Sequence, residues 1–289
     1  MIVYLLLSKL GNMNNLKILQ IKKLFSEGLT STMVCEKLGI NRKNIHYYIN
    51  KYNIEVKNKY YLNIPNHTYF DNIDTEEKAY LLGFFLADGF VTNHYRLGLE
   101  NSIDDEEIIK LFQKEISPNQ SIRYRNRQDN VKKRKIQVIF IITSKEMCES
   151  LENLYDIKKN KTYNHEFKFN FDKIPEHLHR HFIRGFFDGD GSISFYEYNN
   201  TIFFNFSFVF NSLNFCEQIA KIFEDKFNIS KKIYENQGKT CKYYALRFNY
   251  SRDRSAKIKE IYDFLYKDSK VYLKRKKEKF DLYLEYRAK

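Results

Sequence analysis

Two nine-residue stretches, Leu81-Leu82-Gly83-Phe84-Phe85-Leu86-Ala87-Asp88-Gly89 and Ile183-Arg184-Gly185-Phe186-Phe187-Asp188-Gly189-Asp190-Gly191, share one unusual design. Each is an apolar helical run that ends in an aspartate and a glycine. Small residues sit four apart, Gly83 with Ala87 and Gly185 with Gly189, so each pair shares a helix face. That spacing lets two helix backbones approach closely, and it marks these four residues as a helix-packing interface. The glycine after each aspartate suits the left-handed residue that ends many helices. Packed side by side, the two helices bring Asp88 and Asp190 to the same end. Two carboxylates at helix C-termini, where the dipole is already negative, call for a cation. The copies differ at Leu86, where the second has the acid Asp188.

The surrounding sequence repeats with the motifs. After the first come strand patterns at Tyr95–Leu99, Ser121–Arg127 and Ile136–Ile142, with helices at Asp104–Ile116 and Lys145–Leu154. After the second come strands at Ser192–Tyr198, Phe203–Phe210, Lys231–Glu235 and Tyr243–Phe248, with helices at Leu213–Phe227 and Arg254–Leu265. Asn101-Ser102 and Asn211-Ser212 each lead into a helix, Ser144 and Ser251 each start the next, and Lys135 and Lys242 each stand nine residues before those serines. A basic helix from Tyr272 to about Tyr286 closes the chain. The fold class is α+β, with a first repeat over 75–174 and a second over 175–289.

This pattern resembles the LAGLIDADG homing endonucleases, in the single-chain form that carries both motifs. The resemblance implies a pseudo-twofold duplicated αββαββα unit with antiparallel saddle-shaped sheets and two packed motif helices. It implies a site-specific, metal-dependent DNA endonuclease, with Asp88 and Asp190 as catalytic residues and as metal ligands. Each would anchor Mg²⁺, or another divalent cation such as Mn²⁺, for one DNA strand, with the carbonyls of Ala87 and Gly189 completing coordination. The product would be a double-strand break with short 3′ overhangs, made across the minor groove by a monomer. Members of the family often carry an assisting lysine after the second strand of each repeat. Those positions hold Asn101-Ser102 and Asn211-Ser212 here, and Lys135 and Lys242 are weak substitutes. His177, His179 and His181 read as helix-surface residues, and Lys274-Arg275-Lys276-Lys277 most simply as a solvated helix face.

The bulk properties agree with a polyanionic partner. The 289 residues carry a formal net charge of +13 at pH 7, although the wealth of Lys, Asn, Ile, Phe and Tyr also fits an AT-rich coding sequence. Residues 1–60 hold ten Lys+Arg against three Asp+Glu. Within them, 14–52 read as three short helices: an apolar period at Leu16, Ile18, Leu19, Ile21 and Leu24, a second helix capped by Thr30 or Ser31, and a third from Arg42 to Tyr52 capped by Asn41. A glycine turn followed by a basic helix bearing Arg42, Lys43, Asn44, His46 and Tyr47 is the layout of a helix-turn-helix DNA-binding domain. Residues 1–13 read as a disordered extension, with Met1 or Met13 as the start, and 53–74 as a linker. Cys35, Cys148, Cys216 and Cys241 form no C-x-x-C pair, which fits a reducing compartment and no zinc site. The apolar start is too short to span a membrane and lacks a secretory cleavage pattern, so the expected setting is intracellular and DNA-associated, in nucleoid or nucleus, and not secreted.

Alternation assigns the remaining DNA-binding candidates. Arg123, Arg125 and Arg127 share one strand face; Asn205 and Ser207 point away from the phenylalanines of their strand; Tyr243 and Arg247 share a face. Such side chains read base edges or grip phosphate. Three activities fit: an endonuclease, intron-encoded or freestanding, within a mobile element; a catalytically inactive DNA-binding transcriptional regulator on the same fold; or an intron RNA maturase. Both aspartates favour the first, since a regulator has no need of paired carboxylates that repel phosphate.

Overall fold

A computed structural model describes residues 15–56, 64–126, 135–199, 201–229, 231–238, 241–250 and 255–288. The expected extension over 1–13 and Arg127 lie outside these. The chain divides into two compact units, Met1–Ile64 and Pro65–Lys289.

Among its described residues the first unit holds three helices: α1 over residues 15–26, α2 (Ser31–Leu38) and α3 (Arg42–Lys51). Thr30 caps α2 by accepting from the Met33 amide, and Asn41 caps α3 by accepting from the Asn44 amide at 2.9 Å. Between them Gly39 adopts φ +61°, the left-handed turn that glycine tolerates. The core is Ile18, Ile21, Leu24, Phe25, Val34, Ile40, Ile45 and Ile54. Leu16 and Leu19, expected on the apolar face of α1, are exposed instead. Ile18, Ile21 and Phe25 already fill the stripe that faces α2 and α3.

The second unit is built twice over as αββαββα. The first copy runs α4 (Glu76–Asp88), β1 (Gly89–Val91), β2 (Arg96–Ser102), α5 (Glu106–Ile116), β3 (Arg123–Arg125), β4 (Gln137–Thr143) and α6 (Lys145–Tyr155). The second runs α7 (His179–Asp190), β5 (Gly191–Tyr198), β6 (Thr201–Phe210), α8 (Leu213–Phe227), β7 (Lys232–Gln237), β8 (Lys242–Tyr250) and α9 (Ser255–Tyr266), and α10 (Lys274–Ala288) follows. Each copy forms a four-stranded antiparallel sheet, in the orders β1-β2-β4-β3 and β5-β6-β8-β7. One core joins them, rich in phenylalanine, with Phe187 over Phe206 at 4.6 Å and Phe169 over Phe182 at 4.2 Å. Tyr69, Phe70 and Ile73, read as linker from sequence, are buried in it. Among the described residues no helix is long and apolar enough to cross a membrane.

Helices α4 and α7 meet in a reciprocal contact. A Cβ on Gly83 would lie 2.0 Å from the Phe182 carbonyl oxygen, and one on Gly185 would lie 2.0 Å from the Tyr80 carbonyl oxygen. Residue i touching j while j's counterpart touches i's is the mark of a twofold relation. The glycines that follow the aspartates correct the sequence expectation. Gly89 (φ −73°) and Gly191 (φ −77°) are extended, not left-handed, and each starts a strand. Glycine is needed there for space: an added Cβ would fall 2.4 Å from the Phe85 carbonyl oxygen or the Phe187 carbonyl oxygen respectively.

Candidate active site

The seam between α4 and α7 ends in two acids. A Cβ on Gly189 would lie 2.4 Å from the Ala87 Cβ and 3.3 Å from Asp88 Oδ2, so Asp88 sits against the last turn of α7, beside Asp190. The two carboxylates feel each other. Burial, then the charge of Asp88, push Asp190 up to about 6, while the ammonium groups of Lys161 and Lys276 pull the other way. Burial raises Asp88 as well, opposed by the Asn101 amide and by Lys161. Asn101 Nδ2 donates to Asp88 Oδ2 at 2.6 Å, and its own Oδ1 is buried without a partner. Among the described residues Asp190 has no such amide. Asn211, the counterpart of Asn101, turns away and donates to the carbonyls of Lys161 at 2.8 Å and Asn164 at 2.9 Å.

Two lysines close the helix ends. Lys161 Nζ donates to the carbonyls of Phe85 at 3.2 Å and Ala87 at 2.6 Å, and also to that of Leu86. Lys276 Nζ donates to the Phe187 carbonyl at 3.4 Å and to that of Gly191. Carbonyls of a helix's last turn carry the negative end of the dipole, so an ammonium is a natural partner even where, as at Phe85 and Phe187, a cap amide already donates. Burial lowers each lysine to about 8 against the attraction of the nearby acids. Each lysine follows the last helix of its own repeat and reaches back to its own motif helix. Lys135 and Lys242, the substitutes taken from sequence, are elsewhere: Lys135 is exposed and paired with Asp104, and Lys242 is half-buried and paired with Glu235.

Sequence reasoning missed both lysines for different reasons. Lys276 belongs to a basic run that looked solvated, yet it is buried. Arg275 holds the buried Asp105 at 2.7 and 2.9 Å, and Lys277 reaches Asp281. A helical period through Leu273, Lys276, Phe280 and Tyr283, all buried, was the available signal. Lys161 lies in a connecting segment with no period to reveal it.

Asp188 is not part of the acid pair. It is fully buried and accepts from Tyr80 Oη at 2.8 Å, Tyr266 Oη at 2.7 Å and the Leu273 amide at 2.7 Å. Arg184, equally buried, donates to Glu76 Oε1 at 2.7 Å and to the carbonyls of Leu265 and Val271, both at 2.8 Å. Of the three histidines, His177 is exposed on a short helical turn as expected, whereas the other two are drawn into the fold. His179 and His181 belong to α7, His179 Nε2 lies 2.9 Å from the Ile174 carbonyl, and His181 is buried with Nδ1 2.9 Å from Arg184 Nη1. Burial and the charges of Arg184 and Arg180 push His181 down to about 3, so it is neutral and its Nδ1 accepts a hydrogen bond from the Arg184 guanidinium. Its 3.7 Å approach to Glu76 is therefore no ion pair.

The outer sheet faces carry most of the expected polar residues. Asn205 pairs across from Ser194 and Ser207 from Ser192, both exposed serines. Arg247 lies opposite Ser207 and Lys232, over the Tyr234 ring at 4.9 Å, and Tyr243 lies on the same pleat. Lys242 falls on the opposite pleat. In the first sheet Arg123 and Arg125 share a face, where Arg125 forms an ion pair with Glu100. In the first unit Arg42, Lys43, Asn44, His46 and Tyr47 are all exposed on α3. Among the described residues no cluster of three or more His, Cys, Asp and Glu forms a metal-binding group.

Two family profiles match within the second unit: one described as the WhiA LAGLIDADG-like domain over residues 77–167, and one described as a LAGLIDADG-like domain over residues 177–262. No curated protein matches. Among solved structures, the chain is similar to the homing endonuclease I-WcaI bound to its DNA recognition sequence, at 15% identity over 68% of this chain and 80% of that one, TM-score 0.40. It is similar to the LAGLIDADG homing endonuclease I-GzeII in complex with its DNA target, at 16% identity over 72% and 88%, TM-score 0.43. The N-terminal LAGLIDADG domain of DUF199/WhiA gives 15% identity over 72% and 89%, TM-score 0.42. With both motifs in one polypeptide, each inside a matched domain, the chain belongs to the LAGLIDADG family in its single-chain, two-motif form.

Proposed function

We propose that the chain is a site-specific endonuclease that hydrolyses both strands of duplex DNA with a divalent cation, Mg²⁺ or Mn²⁺. The observation that carries this reading is the convergence of Asp88 and Asp190 at one end of the α4–α7 seam. The residues fit such an ion. Two hard carboxylates stand together, and the Asp190 carboxylate takes no hydrogen bond among the described residues. Asp88 and Asp190 would hold the cation with the carbonyls of Ala87 and Gly189. When bound, it supplies water activation and neutralises charge on the scissile phosphate.

The chain's own groups do the rest. Asn101 fixes the rotamer of Asp88, and Lys161 and Lys276 place positive charge beside the acids, where negative charge develops on phosphate. Arg123, Asn205, Ser207, Tyr243 and Arg247 on the sheet faces, and Arg42, Lys43, Asn44, His46 and Tyr47 on α3, bind and register the duplex. One chain supplies both acids, so a monomer serves both strands.

A second reading is a DNA-binding regulator without hydrolysis. It is favoured by the same two lysines, which already neutralise the acids. Incubation of the purified protein with a duplex library in Mg²⁺ separates the two. Defined cuts support the endonuclease; retarded but intact duplex supports the regulator. Tighter binding to intron RNA than to any duplex would replace both with RNA maturation.

A further inference from the structure

The two halves of the seam are closed to different degrees. On the first, Lys161 Nζ covers the Ala87 carbonyl and its two neighbours, and Asn101 occupies Asp88 Oδ2. The Lys161 segment is itself pinned, because Asn211 holds the carbonyls of Lys161 and Asn164, and His165 Nδ1 lies 2.9 Å from the Asn211 carbonyl. On the second, Lys276 is bonded to the carbonyls of Phe187 and Gly191, on either side of Gly189, and no amide reaches Asp190 among the described residues. An ammonium and a divalent cation cannot share one carbonyl at contact distance, since like charges repel strongly where water is scarce.

We infer that the halves load in order: a divalent cation enters first at Asp190 and Gly189, and reaches Asp88 and Ala87 only once the Lys161 ammonium has left the α4 terminus. Lys161 is then a tethered cation that keeps the first half shut until it is displaced. The inference rests on the endonuclease reading, and its test reads metal binding rather than cutting.

The measurement is calorimetric titration of the full-length chain with MnCl₂ alone. Wild type is expected to show one tight site and a second weaker by at least about tenfold, the scale of a modest coupling between sites. Lys161→Met should tighten the weaker site by about the same factor, while Lys161→Arg keeps the wild-type pattern. Asp190→Asn should remove the tight site, and Asp88→Asn should spare it. This pair decides the matter even where Lys161→Met fails to fold. Two equal sites in wild type, or loss of the tight site in Asp88→Asn, overturns the order of loading. If those equal sites accompany cut DNA, the endonuclease reading survives without it. Absence of any Mn²⁺ binding, together with uncut DNA, removes both.

Discussion

The two motif helices have one backbone design and opposite interiors. At the equivalent positions 102 residues apart, α4 buries Ala79, Leu82 and Leu86, whereas α7 buries His181, Arg184 and Asp188. The α4 set is satisfied by packing alone. The α7 set holds the connection between α9 and α10 through the carbonyls of Leu265 and Val271 and the amide of Leu273. That connection delivers Lys276 to the end of α7. The difference teaches that a repeated motif can keep its glycines and final acid for the seam while its remaining face is rebuilt for whatever chain segment must dock there.

The largest expected effect lies where the halves agree. Asp88→Asn and Asp190→Asn should each reduce double-strand cleavage by on the order of a thousandfold, with duplex affinity measured by gel retardation nearly unchanged. Full cleavage by either variant would break the equivalence of the two ends. Next comes the site where the halves differ most. Asp188→Ala leaves two tyrosine hydroxyls, an amide and Arg184 without their buried anion, and should cost about 3–5 kcal/mol in urea unfolding. A loss under about 1 kcal/mol would mean the polar interior of α7 is incidental.

The seam itself should answer symmetrically. Gly83→Ala and Gly185→Ala each drive a methyl into a carbonyl of the opposite helix, and each should destabilise by about 3 kcal/mol. Clearly unequal melting temperatures would show that the contact is not reciprocal. His181 gives a pH test that α4 lacks. It binds a proton near pH 6.5 when unfolded but only near 3 when folded, so stability is lost as pH falls from about 6.5 toward 3, by up to about 1.4 kcal/mol per pH unit. Asp190, raised to about 6, works in the opposite direction between pH 6 and its unfolded value near 3.8. The difference between wild type and His181→Gln isolates the histidine, and parallel curves would sink the assignment. The smallest effect concerns the first unit: Lys43→Gln should lower the salt slope of DNA binding by about one.

The helices, sheets and duplicated order were legible in the sequence because periodicity and the Asp-Gly endings are local signals. So was the meeting of the helices, since glycine and alanine four apart state which face packs. What escaped depends on tertiary partners. A glycine after a helix reads as a left-handed cap, but Gly89 and Gly191 serve the close passage of an extended strand. Asp188 read only as a difference between the copies because Tyr80, Tyr266 and Leu273, which satisfy it, lie 78 to 108 residues away. The run at 274–277 looked solvated because its charges are written consecutively, while the helix sends them to different neighbours. Arg125 looked free for DNA because Glu100 belongs to another strand.

Glu76 carries a consequence for the history and engineering of such chains. Its Oε1 accepts from Arg184 and from the amides of Lys270 and Val271. The position 102 residues later is Leu178, which offers no acceptor. Two copies of the second half, paired about the same axis, would each leave a buried guanidinium without its Glu76 ion pair, though still bonded to the carbonyls of Leu265 and Val271, a cost of several kcal/mol. Fusion is thus reinforced by contacts that only unlike halves can make, this one and that of Tyr80 with Asp188 among them, and a designer wishing to split this molecule into a self-pairing half would have to begin by rewriting that corner.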